Sequence, residues 1–169
     1  MRIYLTGFMG CGKSYTGRRL AKLIGCDFVD LDDWIEIAAG QSINEIFATQ
    51  GEDAFREWER SSLRQLAEKT SFVMATGGGA PCYHSNMDWM NEHGTTVFLD
   101  PPLDWMLERL EKGRDHRPLL QTGEELADFV SQKLADRRPI YEKAHIQLQP
   151  TDPKTHIPRL LYDQLLSST

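Results

Sequence analysis

Five short stretches, residues 2–6, 27–30, 71–76, 95–99 and 145–148, are apolar and rich in β-branched or aromatic side chains, and each predicts a strand. Between them the apolar positions recur with a helical period, which predicts helices over 14–24, 34–39, 43–50, 53–68, 86–92, 103–111, 124–144 and 155–166. Ser42-Ile43-Asn44-Glu45 has the spacing of a capping box, and Gly25 stands where a glycine would end the first helix. Strands alternating with helices predict an α/β fold. Its core is a parallel sheet of about five strands flanked by helices, with ligands gathering beyond the carboxyl ends of the strands. Two segments depart from the alternation. One is a helix-rich insertion at about 34–69; the other, about 112–124, is polar, contains Gly113 and Gly123, and reads as a mobile lid.

Directly after the first strand comes Gly7-Phe8-Met9-Gly10-Cys11-Gly12-Lys13-Ser14, which fits GxxxxGK[ST] and opens the first helix. Glycines here let successive backbone N–H groups point into one concavity. Lys13 can reach the outer phosphates, and the Ser14 hydroxyl can ligate Mg²⁺. Phosphates in this cradle sit at a helix N-terminus, where orphan N–H groups and the helix dipole favour anions. A flexible glycine turn could carry the same letters, but the strand before and the helix after single out a nucleoside triphosphate site. The loop is silent on what receives the phosphate.

The remaining composition narrows the class. At 169 residues the chain suits one domain, 1–169, with a full core. A net charge of −6 and a pI near 5.4 argue against a dedicated nucleic-acid surface, which needs clustered Lys and Arg. No signal-peptide pattern opens the chain and no apolar run approaches the ~20 residues of a membrane span, so a cytoplasmic protein is expected, with monomer as the default. Cys11, Cys26 and Cys82 form no CxxC pair and the histidines lack ligand spacing, so neither a disulfide framework nor a zinc site is expected.

Several residues are candidates for choosing the acceptor. Asp30-Leu31-Asp32 ends the second expected strand, and alternation would put both carboxylates on one side of it, one suited to Mg²⁺ and the other to a substrate hydroxyl. The plain alternative is an acidic helix cap. Thr76 is followed by Gly77, Gly78 and Gly79, which let a ligand approach with no Cβ in the way. Arg56 and Arg137 could each bind a carboxylate with a planar fork, or be helix arginines paired with neighbours such as Glu52 or Glu59. Arg117, in the lid segment, could come over the β/γ-phosphates and stabilise the transferring phosphoryl group.

Taken together, GFMGCGKS, FVDLD around Asp30 and Asp32, Phe55-Arg56, TGGG at 76–79, RPLL from Arg117, and Arg137-x-Pro139-x-Tyr141 resemble shikimate kinase in order and spacing. The resemblance implies a P-loop, nucleoside-monophosphate-kinase-like fold with a substrate-binding helical insertion and a lid. It also implies MgATP-dependent phosphorylation of the 3-hydroxyl of shikimate on the route to chorismate and aromatic amino acids. It would make Gly10, Cys11, Gly12, Lys13, Ser14 and Tyr15 the nucleotide clamp, with Ser14 and, through water, Asp30 serving Mg²⁺. Asp32 would hold the shikimate hydroxyls and orient or deprotonate the nucleophile. Arg56 and Arg137 would grip the ring carboxylate, Gly77, Gly78 and Gly79 would give close contacts, and Phe47 and Phe55 would wall the ring. Arg117 would bridge ATP and the reacting phosphoryl. Adenine contacts map to Arg109 or Arg114 and to Asp152-Pro153. The sequence departs from the family pattern at Ala75, where relatives often carry a hydroxyl residue.

Two other readings compete, and a third, a nucleoside monophosphate kinase, would need a base pocket and more positive charge around a second phosphate. A kinase for another hydroxylated acid, such as gluconate, would need the same carboxylate clamp. A nucleotide-binding protein without catalysis would have no use for Asp32 and Arg117.

Overall fold

The computed structural model describes residues 1–113 and 124–167. Strands β1 (Arg2–Thr6), β2 (Asp27–Asp30), β3 (Phe72–Ala75), β4 (Thr95–Leu99) and β5 (Ile146–Leu148) form one parallel sheet in the order β2-β3-β1-β4-β5. The helices are α1 (Lys13–Ile24), α2 (Leu31–Ala39), α3 (Ile43–Gln50), α4 (Glu52–Leu66), α5 (Asn86–His93), α6 (Leu103–Lys112), α7 (Glu124–Tyr141) and α8 (Ile157–Ser167). Among the described residues, no helix is long and apolar enough to cross a membrane.

Ile3, Tyr4 and Leu5 of β1 and Phe72, Val73 and Met74 of β3 are all fully buried. Burial of successive residues, instead of every second one, is what helices packed on both faces of a parallel sheet require. Register then places the site. Leu5 pairs with Ala75 and Asp30 pairs with Ala75, so β1, β2 and β3 finish level with one another. Thr76 locks this edge, donating both its backbone N–H and its hydroxyl to the Leu5 carbonyl at 3.1 and 3.0 Å. The phosphate loop, the start of α2 and the glycine run after β3 therefore emerge side by side.

The capping box forms as expected: Ser42 Oγ accepts from the Glu45 N–H at 3.1 Å and Glu45 Oε2 from the Ser42 N–H at 2.7 Å. Gly25 closes α1 in the left-handed conformation. Element ends differ where side chains cap them. Helix α2 starts at Leu31, three residues before the predicted position, because the Asp30 carboxylate accepts from the Asp32 N–H at 3.2 Å. Asp32 thus lies in the first turn of α2, and the expectation that it shares a strand face with Asp30 is corrected. Helix α8 starts at Ile157, later than predicted, with His156 Nδ1 accepting from the Arg159 N–H at 3.2 Å. A single 3-10 turn, Ala80–Cys82, follows the glycine run and was not expected. His84 and Ser85 beyond it have φ of 51° and 53°, a left-handed conformation that costs non-glycine residues roughly 1–2 kcal/mol each. Most of the segment expected to be a lid, including Arg114, Arg117 and Gly123, lies outside the described residues.

Candidate active site

A cleft of about 700 Å³ opens along the carboxyl edge of the sheet. It is lined by Met9, Gly10, Cys11, Gly12, Lys13, Ser14, Tyr15 and Thr16 together with Asp30, Asp32, Thr76 and Gly78. Trp105 and Arg109, one turn apart on α6, and Pro153, Lys154, Thr155, His156, Ile157 and Pro158 complete the lining.

The loop between β1 and α1 takes its shape from positive φ at Gly7, Gly10 and Gly12, of 138°, 80° and 98°. L side chains rarely adopt such angles, and here they turn the peptide N–H groups inward ahead of α1. Lys13 Nζ donates to the carbonyls of Gly7 at 2.7 Å and Phe8 at 3.0 Å, which holds the ammonium at the mouth of the loop. Cys11, buried, places its thiol 3.7 Å from that ammonium. Arg109 Nη1 donates to the Gly10 carbonyl at 3.1 Å, tying α6 to the loop.

Next to the loop, Ser14 Oγ donates to Asp30 Oδ2 at 2.7 Å. A hydroxyl and a carboxylate at this separation are hard oxygen donors, the kind Mg²⁺ takes when waters and phosphate oxygens complete its shell. The donor set therefore fits Mg²⁺. Asp32, in the first turn of α2, lines the cleft beside them. Burial pushes its carboxyl from an ordinary value near 3.8 up to about 6, the Asp30 carboxylate adds to the rise, and Lys13 opposes it.

Each residue of the glycine run lies against a charged side chain. A Cβ on Gly77 would come 2.9 Å from Asp32 Oδ1 and 3.1 Å from Glu59 Oε1. A Cβ on Gly79 would come 2.6 Å from Arg56 Nη1, and one on Gly78 would be 3.4 Å from Arg137 Nη1. Close approach, and not unusual φ, is why glycine stands here.

Arg56 is buried yet keeps the neighbours of a surface helix arginine. Its Nη1 donates to Glu59 Oε2 at 2.8 Å and its Nη2 to Glu52 Oε1 at 3.2 Å. Glu59, 1% exposed, has its carboxyl pushed up to about 7 by burial, in spite of the opposing Arg56 guanidinium. Arg137 lies with its guanidinium carbon 5.5 Å from the centre of the Phe8 ring. Its sequence neighbour Arg138 turns away and makes two bonds to Asp100, at 2.7 and 3.0 Å. Phe47 and Phe55 pack with ring centres 4.9 Å apart; Phe55 is buried and Phe47 is 39% exposed.

The structure thus brings together the residues singled out from the sequence on α1, α2, α4, the glycine run and α7. Asp152 does not line the cleft; its carboxylate accepts from the Lys154 N–H at 2.9 Å, and the cleft wall begins at Pro153. Arg117 lies outside the described residues. The sequence offers Glu59 only as a helix partner of Arg56, from their i, i+3 spacing, and not as a buried group beside Asp32; nothing local marks Trp105 or residues 154–158.

Comparison with known proteins agrees with this geometry. The shikimate kinase family model matches residues 9–167. A shikimate kinase of Parabacteroides distasonis is 46% identical over 147 residues, 86% of this chain and 85% of that one. The crystal structure of shikimate kinase from Bacteroides thetaiotaomicron superposes with a TM-score of 0.87 at 36% identity, covering 99% of this chain and 96% of that chain. The shikimate kinase from Acinetobacter baumannii in complex with shikimate gives 0.84 at 34% identity, covering 99% and 91%. Since the family match spans every residue that lines the cleft and the structural likeness spans nearly the whole chain, this chain belongs to the shikimate kinase family.

Proposed function

We propose that this protein transfers the γ-phosphoryl group of ATP to the 3-hydroxyl of shikimate, giving 3-phosphoshikimate and ADP on the route to chorismate. The observation that carries the reading is the convergence of Asp32, Arg56 and Arg137 on Gly77, Gly78 and Gly79 beside the phosphate loop. A small polyol acid needs an anion clamp and a hydroxyl acceptor at a fixed distance from the γ-phosphate, and these residues supply both.

In this reading the amides of residues 10–15 and Lys13 hold the phosphates. Arg56 and Arg137 hold the ring carboxylate. Asp32 accepts the proton of the 3-hydroxyl as its oxygen attacks the γ-phosphorus and the bond to ADP breaks. Mg²⁺, held by Ser14 and Asp30, would neutralise charge on the β- and γ-phosphate oxygens. Phe47, 39% exposed and packed on buried Phe55, would wall the acceptor ring. Arg109 and residues 153–158 would enclose the base, and Arg117 would bridge the nucleotide and the transferring group. Residues 1–169 act as one kinase unit.

A coupled ADP-release assay with MgATP tests the reading by comparing shikimate, quinate, gluconate and no acceptor. Turnover with shikimate alone is expected. Turnover with gluconate instead would keep the kinase and remove the acceptor assignment, and ADP release that ignores every acceptor would remove both.

A further inference from the structure

We propose that Tyr83 is the positioning residue for Arg56: its ring carries one face of the guanidinium, so that the fork keeps its plane while its edge donors pass to the acceptor. This rests on the reading of Arg56 as part of the carboxylate clamp.

The edges of the Arg56 fork are already engaged. Glu59 takes Nη1 on the inner side, and Glu52 Oε1 takes Nε at 3.4 Å and Nη2 at 3.2 Å on the outer side. An incoming carboxylate has to take over N–H groups from one of these partners, and Glu52 is the one at the rim, its side chain 53% exposed. When Glu52 lets go, the fork loses both bonds on its outer side and keeps only the one to Glu59. The face contact is independent of those donors. Arg56 Cζ lies 4.0 Å from the centre of the Tyr83 ring, closer than its 5.3 Å to Phe55, and a cation over an aromatic face is attracted by the ring quadrupole. The Tyr83 hydroxyl also donates to Glu52 Oε1 at 3.2 Å, so the released carboxylate keeps a partner.

Core packing does not account for Tyr83, which is 37% exposed. The chain nevertheless holds it firmly. The left-handed pair His84 and Ser85 turns the backbone immediately after it, and the Asn86 N–H closes that turn onto the Tyr83 carbonyl at 2.9 Å. Asn86, fully buried, donates to the Ala80 carbonyl at 2.9 Å and accepts from Arg64 of α4 at 3.0 Å. The loop that presents the ring is thus bolted to the helix that carries Arg56. Strain of this kind persists where surrounding contacts over-determine it and is concentrated at ligand clamps.

The test uses Tyr83→Leu, which keeps bulk without a π face, Tyr83→Phe, which keeps the face without the hydroxyl, Arg56→Ala, and the Tyr83→Leu/Arg56→Ala double variant. Tyr83→Leu is expected to raise the shikimate KM about five- to tenfold while kcat and the ATP KM stay within about twofold. Tyr83→Phe should restore the shikimate KM to within about twofold of the parent. Adding Tyr83→Leu to Arg56→Ala should change nothing further, because the residue acts through Arg56. In the ligand-free protein, ring current should move the Arg56 Nε–H resonance upfield; the displacement should survive in Tyr83→Phe and vanish in Tyr83→Leu. A parent-like shikimate KM in Tyr83→Leu, with Arg56→Ala strongly impaired, overturns the inference and leaves the clamp standing. So does a full Tyr83→Leu effect in the Arg56→Ala background. An unchanged shikimate KM in Arg56→Ala overturns the clamp and the inference together.

Discussion

The phosphate cradle comes from one stretch of chain, residues 7–14, whereas the part of the site assigned to the acceptor draws on α2, α4, the glycine run and α7. The first is held by backbone conformation: positive φ at Gly7, Gly10 and Gly12, and a lysine lying on its own loop carbonyls. The second is held by buried side-chain charge, with Arg56 between Glu52 and Glu59, and Asp32 pressed against Gly77. A backbone cradle recognises a group common to every nucleoside triphosphate and can be carried by one local motif. Recognition of a particular small acid requires charges at fixed separations in three dimensions, and only the sheet register sets those separations.

Variants can break this division. The largest effect is expected from Asp32→Asn, which should lower kcat about 10²–10⁴-fold, the typical contribution of a positioned general base, while calorimetric ADP affinity stays unchanged. Loss of ADP binding in this variant would mean that the two parts are not separable. Next comes Arg56→Ala, which should raise the shikimate KM by about thirtyfold or more through loss of a buried charge contact, again with intact ADP affinity. The Arg137/Arg138 doublet gives a smaller and sharper contrast. Arg137→Ala should raise the shikimate KM roughly tenfold with little change in melting temperature. Arg138→Ala should leave KM alone and lower stability by about 1 kcal/mol, since its pair with Asp100 is partly exposed and screened. Exchange of these two phenotypes would reverse their assignment.

The last contrast is in pH dependence. The Glu59 carboxyl ionises near 4.5 ordinarily but at about 7 in the fold. Between those values the folded protein binds more protons than the unfolded chain, so stability should fall as pH rises through about 4.5–7 and level off above. Asp32, raised to about 6, adds to the same slope. Thermal unfolding without ligands from pH 4.5 to 8 checks this, and Glu59→Gln, which cannot ionise, should flatten the curve. A stability that climbs across this window would show that the Arg56 pair outweighs burial at Glu59.

The Arg137/Arg138 doublet also shows what periodicity leaves open, since only the family resemblance picks out Arg137. Arg137 and Arg138 are adjacent and chemically identical, so periodicity offers no choice between them; α7 turns Arg137 towards Gly78 and Phe8 and Arg138 towards Asp100. Arg56 posed the opposite difficulty. Its pairing with Glu52 and Glu59 could be anticipated from spacing, and would ordinarily mark a solvated helix face, but α4 buries it against Gly79. Asp30 and Asp32 were correctly grouped for the wrong reason: a side-chain cap starts the helix at Leu31 and brings Asp32 into the cleft from α2.

By itself the sequence determined the five strands, the alternation that makes their sheet parallel, the capping box at Ser42 and the phosphate loop, all features specified by neighbouring residues. Tertiary structure alone decided that Glu59 is buried beside Asp32, that Trp105 and residues 154–158 line the cleft, and that Tyr83 lies on Arg56. Those contacts join residues that are distant in the chain or equivalent in local pattern, and they exist only once β1, β2 and β3 end at a common level and the helices pack upon them.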